Sequence, residues 1–321
     1  MTSEKLPAVA VLGLGTMGHG IAQTFAAAGY MVRCFDEYSD ARYSLHARIQ
    51  KNLDAFVHAG LLPQAWIEPI LSRVIACESE ADAVSSVAFV TEAVKEDLAV
   101  KQELFARLET VAQTDTLLAS NSSSFPISQS GCRLRHPERA IVTHWFNPPH
   151  LVPLVEVVPS PLTSEATAQT TMAILQRIGK QPLRLRTELP GFLVNRIQIA
   201  VMREVWDLLE RGVASAAEID VALIGSVGFR MAAVGPLEIH DFGGLDVANT
   251  VFQILAPEIR SSTEVPAVVR QLVEQGDLGV KTGRGFHEYP PEQLAERHQR
   301  RDALFLKLIK LLHPDSVKGA S

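Results

Sequence analysis

Cysteine is scarce: the 321-residue chain has only Cys34, Cys77 and Cys132. Their wide spacing offers neither a metal-ligand pattern nor a paired disulfide framework, so free thiols in a reducing compartment and no metal site are expected. Long apolar runs are also missing, and none approaches the roughly 18 residues of a membrane-spanning segment. No long basic run offers a track for phosphates, and a net charge of −6 argues against nucleic acid as a main partner. The segment Met1–Pro7 lacks the basic and apolar regions of a secretory signal. A cytoplasmic protein with neither a membrane nor a nucleic-acid partner is the expectation. The remaining composition, 47% hydrophobic and 21% charged, is ordinary for a globular chain, and the length allows two domains, each with its own core.

The chain opens on an apolar run, Val9-Ala10-Val11-Leu12, which leads directly into Gly13-Leu14-Gly15-Thr16-Met17-Gly18. An apolar-periodic helix containing Ile21 and Phe25 follows, and a second apolar stretch, Met31 to Phe35, closes on Asp36. Strand, glycine turn, helix, strand and acid stand in the order a dinucleotide pocket needs. Gly13 permits the tight turn, Gly15 lets backbone approach a pyrophosphate, and Gly18 lets the helix sit close to the strand. Free amides and the positive end of the helix dipole then favour phosphate. A carboxylate at Asp36 accepts from ribose hydroxyls and repels a 2′-phosphate, which favours NAD over NADP. Arg33 and Arg42 lie close by; Arg33 is read as a surface charge.

Alternation of helices and short apolar runs continues through a long helical stretch (Asp40 to Gly60) and candidate strands at Ser86–Thr91, Leu117–Ser120, Ala140–Thr143, Pro153–Val158 and Gln181–Leu185. Helices are expected over Val100–Val111 and Ser164–Ile178. The pattern predicts an α/β fold with a doubly wound, mainly parallel Rossmann-type sheet. After Pro190-Gly191 no strand alternation stands out, and Phe192–Arg211 begins a series of helices. Residues 1–188 are therefore expected to form an NAD-binding domain and 189–321 an all-helical domain for substrate contact and dimerisation.

His144 ends an apolar strand, and Glu156 sits twelve residues on, inside Leu154-Val155-Glu156-Val157-Val158. A carboxylate in a buried strand is costly without a partner. The strand-loop-strand spacing can return Glu156 to His144, where it would orient the imidazole. An imidazole so held suits removal of a proton from a substrate hydroxyl while the carbon gives up hydride. A structural histidine at a strand end, with a glutamate on an edge strand, is the plainer alternative.

Further blocks occur in order: Asn121-Ser122-Ser123-Ser124, His144-Trp145-Phe146-Asn147-Pro148, Pro190-Gly191-Phe192-Leu193-Val194-Asn195-Arg196, Gly235-Pro236-Leu237-Glu238 and Lys281-Thr282-Gly283-Arg284-Gly285-Phe286. With the dinucleotide fingerprint they make the chain resemble the L-3-hydroxyacyl-CoA dehydrogenase family over nearly its whole length. The resemblance implies NAD-dependent oxidation of a 3-hydroxy group to 3-oxo, with His144 as base and Glu156 as its partner. It implies substrate contacts from Ser123 and Asn195, and cofactor contacts from Glu96, Lys101, Asn147 and Lys281 beside the glycine turn and Asp36. Taken alone, Ser123, Lys101 and Lys281 read first as solvated surface or capping residues.

Two departures bear on substrate. Thioester enzymes of the family carry a serine and a lysine on the helix after the second strand, and Asn52 and Ala59 fall at about those positions here. The loop Gly228–Pro236 resembles the L-gulonate 3-dehydrogenase (lambda-crystallin) and pyridine-carboxylate dehydrogenase branches, which act on free acids. Arg230 in it is either a fork for a substrate carboxylate or the partner of a structural acid such as Glu238 or Asp241. Three functions follow: a 3-hydroxyacyl dehydrogenase acting on a 3-hydroxy acid or its CoA thioester, a dehydrogenase of a small free hydroxy acid without CoA, and a non-catalytic NAD-binding structural protein. A homodimer through the helical domain is expected.

Overall fold

The computed structural model describes residues 6–313. The start of the Met1–Pro7 segment and residues 314–321 of the expected second domain lie outside the described residues.

Eight strands form one sheet in the order β3-β2-β1-β4-β5-β6-β7-β8. They are β1 (Val9–Leu12), β2 (Val32–Phe35), β3 (Val74–Ala76), β4 (Phe89–Glu92), β5 (Leu117–Ser120), β6 (Ala140–Trp145), β7 (Leu154–Val158) and β8 (Gln181–Arg184). All neighbours run parallel except β6 and β7, which are antiparallel. The sheet buries both faces, which is why its central strands read as continuous apolar runs and not as alternation. In β1, Val9 and Val11 join the cluster of Ile21 and Phe25, while Ala10 and Leu12 join that of Leu104 and Phe105. A third cluster joins Ala55 and Phe56 of the helix Leu45–His58, and Ala59 just after it, to Leu151, Phe305, Leu306 and Ile309.

The chain resolves into two compact units, one running to Asn195 and resuming at Arg301, the other spanning Arg196–Arg300. The end of the long helix Pro291–Leu312 thus groups with the sheet, whereas the sequence assigns it to the second domain. The Arg196–Arg300 unit is helical, and its sheet-like pairing among the described residues is limited to isolated bridges around Arg284.

Two expectations need correction. The helical stretch Asp40–Gly60 is divided into Ser39–Tyr43 and Leu45–His58. The Ser44 hydroxyl donates to the Asp40 carbonyl, a back-bond that competes with the helix ladder and bends it. The second is Gly228–Pro236, which is not a loop throughout: a wide π-turn over Ile224–Gly228 prolongs the helix Ala216–Leu223 and runs into Phe229–Met231. Gly225 and Gly228 disguise that continuity in the sequence, being poor helix formers.

Candidate active site

The glycine turn leaves β1 through Gly13, whose φ of +84° is open to glycine. A side chain on Gly18 would collide with the Gly13 carbonyl, its Cβ only 1.8 Å from the oxygen. By contrast, nothing lies within 4 Å of the Cβ position of Gly15; Gly15 and Thr16 are exposed and Met17 is half-buried. The turn is therefore packed on its inner side and open on its outer side, at the start of the helix Gly18–Ala27, which fits the approach of a pyrophosphate. Asp36 braces the turn by accepting from the Leu14 N–H at 2.6 Å, and Arg48 holds the same residue by donating to the Leu14 carbonyl. Arg33 is paired with Asp82 and half-buried, and Arg42 donates to the Asp36 carbonyl while lying over the Phe35 ring.

His144 and Glu156 are directly opposite each other in the β6–β7 pair. Cross-strand partners share a face, and here His144 Nδ1 meets Glu156 Oε2 at 2.7 Å with the two residues 4% and 0% exposed. Because β8 flanks β7 on the other side, Glu156 is not on an edge strand. Its second oxygen accepts the backbone N–H groups of Leu193 (3.1 Å) and Val194 (2.9 Å). The preceding residues, Gly191 and Phe192, both have positive φ, and Phe192 packs its ring 5.5 Å from that of His144. A left-handed phenylalanine is strained, and the turn it completes aims two amides at the carboxylate.

Ser123 lies in the turn after β5. The Asn195 amide donates to the Ser123 carbonyl at 3.1 Å, and the Gly191 N–H to that of Ser124. Glu96 Oε1 accepts from the Ser122 hydroxyl and from the Ser123 and Ser124 N–H groups. Burial works to raise the Glu96 carboxyl, but the Ser122 hydrogen bond and the Lys101 charge outweigh it and hold it below its ordinary value. Asp97 caps the next helix, Leu98–Val111, through the N–H groups of Ala99 and Val100. That start puts Lys101 in the first turn, buried at 1% exposure and paired with both Glu92 and Glu96. Lys101 is thus no solvated surface residue.

Ser123, His144, Glu156, Asn195, Glu96 and Lys101 all belong to the sheet-bearing unit and are tied by these contacts. Asn147, in the same unit, is exposed. Lys281 and Arg230 are exposed residues of the Arg196–Arg300 unit, and Arg230 makes no ion pair with Glu238 or Asp241. Among the described residues no cluster of acids, histidines or cysteines suits a metal ion. Sequence reasoning missed Glu92, the Leu193 and Val194 amides, and Lys180. For Glu92 the signal was there: an acid closing the apolar run Phe89-Val90-Thr91.

A glycine turn open to a dinucleotide and a buried histidine–carboxylate pair, carried by the same unit, mark an NAD-binding oxidoreductase. Family models for the NAD-binding domain and the C-terminal domain of 3-hydroxyacyl-CoA dehydrogenase match residues 8–188 and 191–289. The chain belongs to the 3-hydroxyacyl-CoA dehydrogenase family, NAD-dependent dehydrogenases acting on CH–OH groups. It is 32% identical to 5-formyl-3-hydroxy-2-methylpyridine 4-carboxylate 5-dehydrogenase of Mesorhizobium japonicum, over 89% of this chain and 91% of that one. A solved structure of a dehydrogenase for that acid, an NAD+-dependent dismutase, matches with a TM-score of 0.89 and 29% identity, over 96% and 98% of the two chains. The human (Homo sapiens) lambda-crystallin homolog is 32% identical over 97% of this chain and 98% of its own. A probable 3-hydroxybutyryl-CoA dehydrogenase of Bacillus subtilis is 33% identical over 89% and 98%.

Proposed function

We propose that this protein oxidises the hydroxyl of a small free hydroxy acid, with His144 removing the hydroxyl proton. The buried 2.7 Å contact between His144 and Glu156 carries the reading. Glu156 fixes Nδ1, so Nε2 is the nitrogen left to accept a proton. Ser123 and the Asn195 amide hold the substrate oxygen. The turn of Gly13, Gly15, Thr16, Met17 and Gly18 holds the cofactor phosphates and Asp36 the ribose, with Glu96, Asn147 and Lys281 as further contacts. Bound NAD supplies the hydride acceptor. In this reading residues 1–188 carry the cofactor and residues 189–321 add substrate contacts and dimerisation, in the cytoplasm.

Four observations favour a free acid over a CoA thioester. Asn52, at one of the two positions where thioester enzymes contact CoA, is engaged by Gln23 at 2.9 Å. Ala59, at the other, brings no cation for the CoA phosphates and packs in the cluster of Phe305, Leu306 and Ile309. The helix that supplies those three residues lies beyond the family match, which ends at 289, while the lambda-crystallin homolog matches over 97% of this chain. Arg230, with no acid partner among the described residues, is available to fork a substrate carboxylate. The test compares NADH formation from free 3-hydroxy acids and from 3-hydroxyacyl-CoAs, with Arg230→Ala beside wild type. Turnover of free acids that Arg230→Ala abolishes supports the reading. Efficient thioester turnover untouched by the substitution returns the protein to 3-hydroxyacyl-CoA chemistry, the step of fatty acid metabolism implied by the family resemblance.

A further inference from the structure

Behind the serine turn lies a buried charged cluster centred on Glu92, a residue with no part in the roles assigned above. Glu92, at the end of β4, is 0% exposed and fully partnered. Its Oε1 accepts from Lys101 Nζ (2.8 Å) and from the Ser120 hydroxyl, and its Oε2 from Lys101 Nζ (2.9 Å) and the Val94 N–H (3.1 Å). The Glu92 carbonyl also accepts the Asn121 N–H. Lys101 Nζ then reaches Glu96 Oε2 at 3.3 Å. An ammonium has three hydrogens; here three carboxylate oxygens surround it, two hydrogen-bonded on Glu92 and one ion-paired on Glu96. The other oxygen of Glu96, Oε1, gathers the Ser122 hydroxyl (2.7 Å), the Ser123 N–H (3.0 Å), the Ser124 N–H (3.0 Å) and, more loosely, the Ser123 hydroxyl (3.3 Å).

We propose that Glu92 and Lys101 are positioning residues for Ser123. The buried pair fixes Glu96, and Glu96 fixes the turn on which Ser123 stands. Lys101 acts on Ser123 through Glu96. The geometry explains why a costly buried ion pair is placed here: its desolvation is met by a full set of donors, and the serine turn, which makes no ladder of its own, takes its place from Glu96. Ser120 tightens the arrangement by donating to Glu92 while accepting the Ser122 N–H at 3.1 Å. The proposal rests on the reading of Ser123 as a substrate contact.

The test replaces both partners together, Glu92→Gln with Lys101→Met, so that no lone charge is left buried. Turnover is measured at saturating NAD and substrate, and NAD affinity by fluorescence titration without substrate. Both are repeated in a Ser123→Ala background. The expected result is a kcat lower on the order of 10²-fold with NAD affinity little changed, and almost no further loss once Ser123 is alanine. Weakened NAD binding with intact kcat makes Lys101 a direct cofactor contact and overturns the proposal. So does a lowered melting temperature with unchanged kinetics, or losses that simply add to those of Ser123→Ala. Full activity in Ser123→Ala alone sinks the role of Ser123; loss there beside a fully active paired variant sinks only the positioning claim. Should the paired variant not fold, Ser120→Ala removes one donor from Glu92, and a smaller loss of kcat with the same dependence on Ser123 is expected. No loss contradicts the proposal.

Discussion

Lys180 sits against the loop that joins β6 to β7 with no acid to pair with among the described residues. Its ammonium donates to the carbonyls of Pro149 (2.6 Å) and Val152 (2.8 Å) and lies 5.3 Å from the centre of the Trp145 ring. Burial pushes the amine down from its ordinary 10.5 to about 7. Between those two pH values the unfolded chain holds a proton that the folded chain has released. Unfolding therefore takes up a proton there, and stability rises as pH rises through that window. The slope for one such group reaches at most about 1.4 kcal/mol per pH unit. Urea denaturation at several pH values should show that rise in wild type and a flatter profile in Lys180→Met. An unchanged profile would mean that Lys180 is not a buried charge. Little at this scale is signalled by single residues: Lys180 is one lysine in a mixed stretch, and nothing in its neighbours marks it as buried. Glu156 was legible because four apolar neighbours make its carboxylate conspicuous. Phe192 was not, because positive φ leaves no mark on a residue other than glycine.

At the scale of elements, the strand–turn–helix unit at the start of the chain was the most legible part, since its three glycines have separate steric duties. Gly18→Ala tests one of them. A methyl 1.8 Å from the Gly13 carbonyl oxygen must push the helix Gly18–Ala27 off β1, and overpacking of this kind typically costs about 1–3 kcal/mol. Calorimetry should find a lower melting temperature together with weakened NAD binding; wild-type NAD affinity would contradict the steric account. Gly15→Ala meets no protein atom and should spare stability. Strand β5 matches its expected limits, whereas the strand expected at Ser86–Thr91 is Phe89–Glu92. Strand β3, with three residues, and the short helices Ile67–Leu71 and Glu80–Val84 were missed because such lengths show no periodicity. The antiparallel pairing of β6 and β7 departs from the alternating pattern, but the strand-loop-strand spacing of His144 and Glu156 already pointed to the return that sets them against each other.

At the scale of the molecule, the helical unit raises the question of a second copy. The helices Val194–Glu210, Pro236–Gly243, Leu245–Leu255 and Ala267–Glu274 bury no residue, while Ile197, Leu237, Phe242 and Phe252 are exposed. Apolar surface on that scale marks an interaction site, and we propose that a second copy of the chain covers it. Sedimentation should give a dimer, and Phe242→Glu with Phe252→Glu should shift it towards monomer; a monomeric wild type would contradict the proposal. No described helix is long and apolar enough to cross a membrane. The two-part organisation could be read from the change of texture at Pro190-Gly191; the return of the last helix to the sheet-bearing unit could not, because amphipathic spacing does not name the surface a helix packs on.

The account depends on His144 taking the substrate proton while Glu156 holds it in place. The most direct measurement is the rate of NADH appearance with His144→Gln beside wild type, at saturating NAD and on the best hydroxy-acid substrate. A fall of about 10² to 10⁴-fold in kcat, with NAD affinity preserved, is the expected result. A His144→Gln enzyme that turns over at the wild-type rate would contradict it.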